Sequence, residues 1–363
     1  MSVPDQDRLK QARDSMAKAG ADALVVTHLP NIFYLCGFSG SNAILLILGD
    51  AVYLFTDGRY AIQAQEEAPQ VRVRIVRIPL AQACGEFLRS GSSRRRMRVG
   101  FEAASVNVAE WARLKEAAGR RIEWKSTTDL VEHIREVKSE AELEVMRRSA
   151  KLASEVVFEA PDFVKPGIRE LEVAAEIDYR LRRKGASGPS FETIVASGPR
   201  SALPHARPTE KRLEKNELVV LDLGAILRHY CSDLTRMVFL GRAPARIRRW
   251  YKAVEQAQEA AHEALRAGVS AGSVDRAARR LLNQHGLGSY FVHGTGHGLG
   301  IEIHERPRVG RGQKQEIRAG NVVTLEPGIY VEGVGGIRVE DEVAVHANRI
   351  EVLTTAPRGL LEL

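Results

Sequence analysis

Two aspartates in the second half of this 363-residue chain lie eleven positions apart, and each borders a run of apolar residues. Asp222 lies in LVVLDLGA and Asp233 lies in YCSDLTRMV. The segments Leu218–Leu223 and Asp233–Leu240 are both typical of strands, and AILRHYCS between them predicts a hairpin connection. Because adjacent antiparallel strands can hold both carboxylates on one face, this pair predicts a site for a shared ion.

A glycine-rich segment with three histidines follows, and two glutamates come after it. His293, His297 and His304 lie in HGTGHGLGIEIH, where the glycines allow close approach of the backbone. Glu326 precedes a Pro-Gly turn in VVTLEPGIYV, and Glu340, fourteen residues later, is predicted on a strand in GGIRVEDEVAV. A donor set dominated by carboxylates suits a pair of Mn²⁺, Co²⁺ or Zn²⁺ ions. The lack of thiolates in this set argues against structural zinc.

Each of these residues also has an ordinary structural interpretation. A lone aspartate in a hairpin often caps a turn, and a histidine beside glycines is often a surface residue. Glu340 is followed by Asp341 and Glu342, so an exposed acidic strand is the alternative there. Asp222 and Glu326, however, each lie within an apolar strand pattern, where an unpaired carboxylate would be costly. A metal cluster would relieve all of these charges at once.

The elements that must position these residues begin with an alternation of helix and strand in the first third of the chain. The pattern predicts a helix over 5–19, a buried strand Ala23–Thr27, a hairpin of Ala43–Leu48 and Ala51–Phe55 about Gly49–Asp50, and a half-exposed strand Val71–Ile78. A charged helix is predicted in the stretch Arg135–Lys151, with Ser139 as its N-cap and Glu142 three positions on completing a capping box. We therefore divide the chain into an N-terminal domain, 1–132, and a second domain, 133–363.

The second domain carries a weak internal repeat. One predicted helix opens after Gly167 and closes at Gly185, and another opens after Gly268 and closes at Gly286. The two opening glycines are 101 residues apart, and so are the two closing glycines. A strand-like segment follows each helix. This spacing suggests two αβ halves derived from one duplicated unit, with a cleft at their junction.

Composition restricts the class of protein. Hydrophobic residues make up 44% and charged residues 27% of the chain, as in globular proteins. The net charge of +7 comes with two arginine clusters, 94–98 and 246–249, which lack interleaved aromatic residues, so no nucleic-acid partner is expected. No apolar run reaches the ~20 residues of a membrane span, and no secretory leader is recognisable. The three scattered cysteines favour a reducing compartment, so we expect a cytoplasmic protein.

The segments LDLGA, SDLTR, HGTGHGLGIEIHE, TLEPGIYV and GIRVEDEV together resemble the pita-bread metallopeptidases, the family of methionine aminopeptidase, aminopeptidase P and prolidase. The resemblance covers the whole chain. It implies an α+β protein with a small α/β creatinase/prolidase-like N-terminal domain and a pita-bread catalytic domain of two pseudo-symmetric αβ halves. It also implies two divalent metal ions per chain, Mn²⁺ first with Co²⁺ or Zn²⁺ as alternatives, bound by Asp222, Asp233, His297, Glu326 and Glu340.

Further site residues follow from the same resemblance. His205, in SALPHARP, and His304 match histidines that contact the substrate and stabilise the tetrahedral intermediate, and Glu326 is expected to carry the proton. His293 matches a histidine of the cleft. Arg338 matches an arginine that pairs with a ligand carboxylate, and a supporting role is likewise expected for one threonine, Thr235.

Three positions concern substrate recognition. Phe191 and Ile303 match an apolar pocket wall, with ordinary core packing as the alternative. Arg308 matches an arginine that holds the C-terminal carboxylate of a dipeptide in prolidases, with a surface arginine as the alternative. Similar arginines also occur in relatives that cleave longer peptides.

The expected function is that of a dinuclear-metal-dependent exopeptidase of the aminopeptidase P type. It would hydrolyse the Xaa-Pro bond at the N-terminus of proline-containing peptides and also accept Xaa-Pro dipeptides. The alternatives are a strict Xaa-Pro dipeptidase and a non-peptidase binding protein on the same fold. Methionine aminopeptidases usually lack the N-terminal domain, and creatinases have lost the ligands that this chain keeps. The resemblance further implies a homodimer.

Overall fold

The computed structural model describes residues 6–49, 51–91 and 96–363 and divides into two compact units, Met1–Arg135 and Glu136–Leu363. Some predicted positions lie outside the described residues, namely residue 5 of the first helix, Asp50 of the hairpin turn, and Arg94 and Arg95 of the arginine cluster. The predicted boundary between residues 132 and 133 stays a prediction. Among the described residues, no helix is long and apolar enough to cross a bilayer.

The N-terminal unit is built around one mixed sheet with the strand order β4-β3-β2-β1-β5-β6. Its strands are β1 (Ala23–Val26), β2 (Ala43–Leu48), β3 (Ala51–Asp57), β4 (Arg72–Val76), β5 (Met97–Glu102) and β6 (Ile122–Thr127). Its helices are α1 (Gln6–Lys18), α2 (Leu29–Cys36), α3 (Ala61–Glu67), α4 (Leu80–Gly91), α5 (Val108–Ala118) and α6 (Glu132–Arg135). The predicted hairpin is confirmed, since β2 and β3 pair antiparallel from Ala43↔Thr56 to Leu48↔Ala51.

The predicted strand Val71–Ile78 is shorter than expected. β4 pairs with β3 on one side only and forms an edge of the sheet, where Arg72 and Arg74 are exposed. Charged residues on an edge strand discourage pairing with another chain. Their alternation with valines produced the half-exposed pattern of the sequence.

The second unit combines helices with several small sheets. Its helices are α7 (Glu140–Phe158), α8 (Ala160–Phe163), α9 (Glu170–Arg183), α10 (Ala245–Ala264) and α11 (Ala271–Gln284). Its first strands are β7 (Gly188–Pro189), β8 (Ile194–Ser197), β9 (Leu218–Leu223), β10 (Ala225–Leu227), β11 (Tyr230–Cys231) and β12 (Leu234–Phe239). The later strands are β13 (Gly296–Gly298), β14 (Glu305–Val309), β15 (Val322–Leu325), β16 (Gly328–Val331), β17 (Gly335–Arg338), β18 (Asp341–Val345), β19 (Ile350–Val352) and β20 (Leu361–Glu362).

The predicted N-cap of the charged helix is confirmed, because α7 begins at Glu140, directly after Ser139. The outer bounds Arg135 and Lys151 were wrong, since residues 136–139 precede the helix and it continues to Phe158. Ser139 has extended backbone angles and acts as the N-cap, so residues before it cannot belong to the helix. The predicted capping box is confirmed: the amide of Glu142 donates to Ser139 Oγ, and the amide of Ser139 donates to Glu142 Oε2 at 2.9 Å.

The internal repeat is visible in the structure. Helices α9 and α11 each have 14 residues, and they start 101 residues apart, at Glu170 and Ala271. Each follows a glycine of positive φ, 92° at Gly167 and 88° at Gly268, a backbone conformation that favours glycine. Each half of the repeat contributes one sheet. The sheet β20-β12-β9-β8 belongs to the first half, except for the C-terminal strand β20, and the sheet β14-β13-β15-β18-β19 belongs to the second half.

Candidate metal centre

The pairing of β9 with β12 positions the two aspartates. Asp222 lies directly opposite Thr235 in the antiparallel register. Asp233 precedes β12 and is two residues from Thr235, so its side chain is directed to the same face of the strand. The predicted hairpin is therefore confirmed, although its connection folds back as the smaller hairpin β10–β11. Two carboxylates consequently lie close to one another on a buried sheet surface.

His297 lies on β13 and completes a group of three possible ligands. Donor atoms of Asp233, His297 and Glu340 all lie within 4.8 Å of one another. Nε2 of His297 is 3.6 Å from Asp233 Oδ2 and 3.7 Å from Glu326 Oε1. Nδ1 of His297 is 3.0 Å from the carbonyl oxygen of Gly298, so the proton belongs on Nδ1 and the lone pair of Nε2 is directed at the carboxylates.

The two glutamates lie just outside strands. Glu326 directly follows Leu325, the last residue of β15. Glu340 lies in the short connection between β17 and β18, so the prediction that Glu340 belongs to a strand was wrong. The alternative of an exposed acidic strand is also wrong, because Glu340, Asp341 and Glu342 are all buried. Asp341 is paired with Arg236 at 2.8 Å and with Arg358 at 2.6 Å.

The electrostatics of this group are those of like charges held together away from water. Burial, followed by the charges of Glu340 and Asp222, raises the pKa of Asp233 well above its usual range. Burial and the charges of Glu326 and Asp222 raise the pKa of Glu340 in the same way. Burial also raises the pKa of Glu326 to about 8, although Arg338 opposes that shift, and burial lowers the pKa of His297 to about 4.

Arg338 forms hydrogen bonds with one carboxylate and with the threonine that donates to another. Nη2 of Arg338 donates to Asp222 Oδ2 at 2.6 Å, and Nε donates to Thr235 Oγ1 at 3.1 Å. The hydroxyl of Thr235 donates in turn to Glu340 Oε2 at 2.6 Å. Arg338 and Thr235 thus fix the orientation of two carboxylates, as expected of residues that hold ligands in place.

The residues present fit a metal site on three observations. Oδ1 of Asp222 is buried and has no hydrogen-bond partner among the described residues. The separations of His297 Nε2 from two carboxylates are too long for hydrogen bonds. Burial, followed by the charges of neighbouring carboxylates, raises the pKa of Asp233 and of Glu340, so both are costly to ionise without a nearby cation. Divalent ions shared among these donors would satisfy all three.

Two of the predicted substrate-facing residues, His304 and Arg308, lie beside His297. His304 is exposed and its ring centroid is 4.4 Å from that of His297. Burial, with the charges of His205 and Arg308, lowers the pKa of His304, which places these three side chains within electrostatic reach of one another. Arg308 lies on β14 directly opposite His297. Phe191 and Ile303 are half-buried, Phe191 between β7 and β8 and Ile303 next to His304.

Tyr330 was not singled out from the sequence. Its hydroxyl accepts a 2.7 Å hydrogen bond from Arg338 Nη1 and lies 2.9 Å from His293 Nε2. Nδ1 of His293 lies 2.7 Å from the carbonyl oxygen of Gly294, so Tyr330 is the donor to Nε2. Its place in the TLEPGIYV motif, four residues after Glu326, was the available signal.

Comparisons with known proteins agree with this geometry. Residues 8–137 match the creatinase/prolidase N-terminal domain, and residues 144–347 match metallopeptidase family M24. The Xaa-Pro dipeptidase of Pyrococcus horikoshii is 34% identical over 356 residues, which cover 98% of this chain and 99% of that protein.

Solved structures are similar over the same length. An Xaa-Pro dipeptidase from Bacillus anthracis has a TM-score of 0.94 at 32% identity, covering 98% of this chain and 99% of that chain. An X-Pro aminopeptidase from Thermotoga maritima has a TM-score of 0.88 at 33% identity, covering 96% of this chain and 100% of that chain. The predicted resemblance and the predicted fold class are confirmed by these matches.

Proposed function

We propose, from the premise that this chain belongs to metallopeptidase family M24, that it cleaves the bond between an N-terminal residue and a following proline, with Xaa-Pro dipeptides as its preferred substrates. The observation that carries the proposal is the convergence of Asp233, His297 and Glu340, whose donor atoms lie within 4.8 Å of one another. The names of the P. horikoshii and B. anthracis relatives support the choice of dipeptides over longer peptides.

Two divalent ions would be held by the five residues Asp222, Asp233, His297, Glu326 and Glu340. The oxygen-rich donor set favours Mn²⁺, with Co²⁺ or Zn²⁺ as alternatives. Bound ions of this kind polarise a carbonyl and supply hydroxide near neutral pH. The remaining chemistry falls to side chains of the chain itself.

Glu326 is the proposed proton carrier. Its carboxylate would take the proton of the attacking water and return it to the nitrogen of the departing proline. That nitrogen belongs to a tertiary amide and carries no N–H, so the site needs no acceptor for one. A Glu326→Gln variant that binds metal normally and keeps full activity would refute this role.

His205 and His304 would act on the oxygen of the scissile carbonyl. Both side chains reach solvent. Partial burial, with the charges of His205 and Arg308, lowers the pKa of His304, so the neutral form of the His304 ring is favoured at pH 7. A neutral imidazole can donate one N–H to an oxyanion as negative charge develops there. His293 would line the cleft, where Tyr330 already fixes its ring.

The recognition of the substrate's far end is assigned to Arg308. Arg308 is exposed on β14 and is paired there with His297, one of the proposed ligands, on β13. It could grip the carboxylate of a dipeptide through two parallel hydrogen bonds. Phe191 and Ile303 would form the apolar wall against the proline ring. The T. maritima similarity supports cleavage of longer peptides as a second candidate. We further propose a cytoplasmic homodimer.

The test is an assay of the metal-stripped protein with Mn²⁺, Co²⁺ or Zn²⁺ added back. One Xaa-Pro dipeptide and one Xaa-Pro-Xaa tripeptide serve as substrates, and an Asp233→Asn variant is the control. Metal-dependent release of the first residue, faster from the dipeptide, is the expected result. Release that is faster from the tripeptide would favour aminopeptidase activity. Bound metal without cleavage of either peptide would overturn the proposed function.

A further inference from the structure

Two loops carry His205 and His304, and each loop is tied to a buried carboxylate that lies outside the candidate metal ligands. We propose that Glu170 and Glu305 are positioning residues, which fix the two histidines through the loops that carry them. The inference rests on the proposed function, because it concerns the role of these histidines in the same site. Neither carboxylate is among the five proposed ligands.

Glu170 holds both ends of the loop that carries His205. It is the first residue of α9 and is fully buried. Oε1 accepts hydrogen bonds from the amide of Ser197 at 2.8 Å and from its hydroxyl at 2.9 Å. Oε2 accepts from the amide of Thr209 at 3.1 Å and from its hydroxyl at 2.8 Å. The chain between Ser197 and Thr209 therefore starts and ends on one carboxylate.

Arg200 neutralises this carboxylate and adds a further tie. Its Nε lies 3.0 Å from Glu170 Oε2, and its Nη2 donates to the carbonyl oxygen of Arg207 at 2.6 Å. Arg207 lies two residues beyond His205, so the guanidinium spans the loop across the histidine. The exposed imidazole of His205 is thus carried by a segment fixed at three points.

Glu305 has the same role for His304, which precedes it in the chain. Its Oε1 accepts from the amide of Glu302 at 3.1 Å, and its Oε2 pairs with Lys138 Nζ at 3.0 Å. The side chains of this pair are 1% and 6% exposed. A Cβ at Gly300 would lie 2.8–3.0 Å from the Glu305 carboxylate, so the loop closes tightly over it.

Both anchors use the same physical device. A carboxylate accepts charge-assisted hydrogen bonds from loop amides, which are stronger than neutral ones. One cation, Arg200 or Lys138, keeps the buried charge paired. Since a displacement of about 1 Å in a catalytic group can cost roughly a hundredfold in rate, anchors of this kind set the activity of the histidines they hold.

The experiment is a set of crossed double-mutant cycles on the metal-loaded enzyme. Glu170→Gln and Glu305→Gln are each combined with His205→Ala and with His304→Ala, and kcat and KM are measured with an Xaa-Pro dipeptide. Each glutamine variant alone should lower kcat about tenfold or more, with unchanged metal content. In the matched pairs, Glu170→Gln with His205→Ala and Glu305→Gln with His304→Ala, the second change should add little. The crossed pairs should show clearly larger combined losses.

Equal combined losses in matched and crossed pairs would overturn the proposal, because a merely structural effect does not distinguish between the histidines. Glu305→Gln leaves Lys138 without its carboxylate and can impair folding, so Lys138→Met/Glu305→Gln, which removes both charges, is measured beside it. Lys252→Met, at an exposed pair with Glu255, is the matched lysine control and should leave kcat unchanged.

Amide hydrogen exchange gives a readout that does not depend on activity. Glu305→Gln should accelerate exchange at Glu302, and Glu170→Gln should accelerate it at Ser197 and Thr209, while the amides of β9 stay protected. Unchanged exchange rates at these amides would contradict the proposal that Glu170 and Glu305 fix the two loops. A wild-type protein that cleaves no Xaa-Pro peptide would overturn the proposed function instead, and the exchange result would still decide the anchors.

Discussion

The guanidinium of Arg338 donates a 2.6 Å hydrogen bond to Oδ2 of Asp222, and the two side chains are 4% and 10% exposed. This contact fixes the Asp222 carboxylate so that Oδ1 stays without a hydrogen-bond partner among the described residues. The same guanidinium bonds Thr235 and Tyr330. Arg338 is therefore a permanent positive charge beside a group of carboxylates that repel one another.

Replacing Arg338 by methionine should destabilise the metal-free protein. The change leaves the buried Asp222 carboxylate unpaired, which typically costs about 3–5 kcal/mol. Urea unfolding of the metal-free variant measures the loss. Arg248→Met is the control, since its exposed pair with Glu362 is worth about 1 kcal/mol or less. Equal losses in the two variants would show that Arg338 holds no buried charge.

Replacing Asp233 by asparagine should have opposite effects on stability and on metal binding. Burial and the charges of Glu340 and Asp222 disfavour the ionised carboxylate, so its removal should stabilise the metal-free protein at pH 7–8. If Asp233 is a ligand, as proposed, its loss should weaken binding of added Mn²⁺ by roughly a hundredfold or more. Thermal unfolding with and without metal, together with the metal content, measures both effects.

The matched control for this pair of effects is Asp162→Asn, a change of the same type at an exposed aspartate of α8. It should leave the metal content unchanged and should change the free energy of unfolding by no more than about 0.5 kcal/mol. An Asp233→Asn variant that is destabilised without metal would mean that the carboxylate group is not under mutual repulsion.

Much of the scaffold was predictable from the sequence because its signals are local. The capping box at Ser139 and Glu142 depends on residues three positions apart, and the glycines around α9 and α11 mark the ends of helices directly. The pairing of the Asp222 and Asp233 strands followed from two apolar runs separated by a short polar segment. The ligand set and its roles came from the resemblance and remain proposals, although the structure brings their side chains together.

The supporting contacts were not predictable because their partners are distant in the sequence. The sequence places Lys138 among the charged residues of a predicted helical stretch. In the structure it is buried and pairs with Glu305, 167 residues away. Glu170 lies near the start of a predicted helix, and nothing in its local sequence indicates that it accepts hydrogen bonds from the amides of Ser197 and Thr209. Only the folded arrangement shows which acidic residue of a polar segment is turned inward.

The stability of the metal-free protein should fall on acidification partly because of His262. Burial lowers the pKa of this histidine to about 4, against the opposing charge of Asp341. Between pH 6.5 and pH 4 the unfolded chain therefore binds a proton that the folded protein does not, so the free energy of unfolding falls by up to roughly 3 kcal/mol. This contribution is complete above pH 6.5, declines progressively as the pH falls, and is fully lost below about pH 4.

A His262→Leu variant isolates that effect, because the other acid-sensitive groups are unchanged. Its free energy of unfolding should decline less steeply between pH 6.5 and pH 4 than that of the wild type. His285→Leu, at an exposed histidine of the C-terminal end of α11, is the control and should leave the slope nearly unchanged. Parallel curves for wild type and His262→Leu would contradict the prediction.

Replacing Arg308 by alanine should change the preference for substrate length. Arg308 is paired with His297 across β13 and β14. In the proposed role its guanidinium binds the C-terminal carboxylate of a dipeptide, and a longer peptide places no carboxylate at that position. A charge-assisted hydrogen bond of about 1.5–3 kcal/mol corresponds to a loss of roughly 10- to 100-fold in kcat/KM. The loss should appear with an Xaa-Pro dipeptide and not with an Xaa-Pro-Xaa tripeptide. Arg311→Ala, at an exposed arginine three residues on, should alter neither value. An equal loss with both peptides would show that Arg308 acts on the site as a whole rather than on the substrate carboxylate.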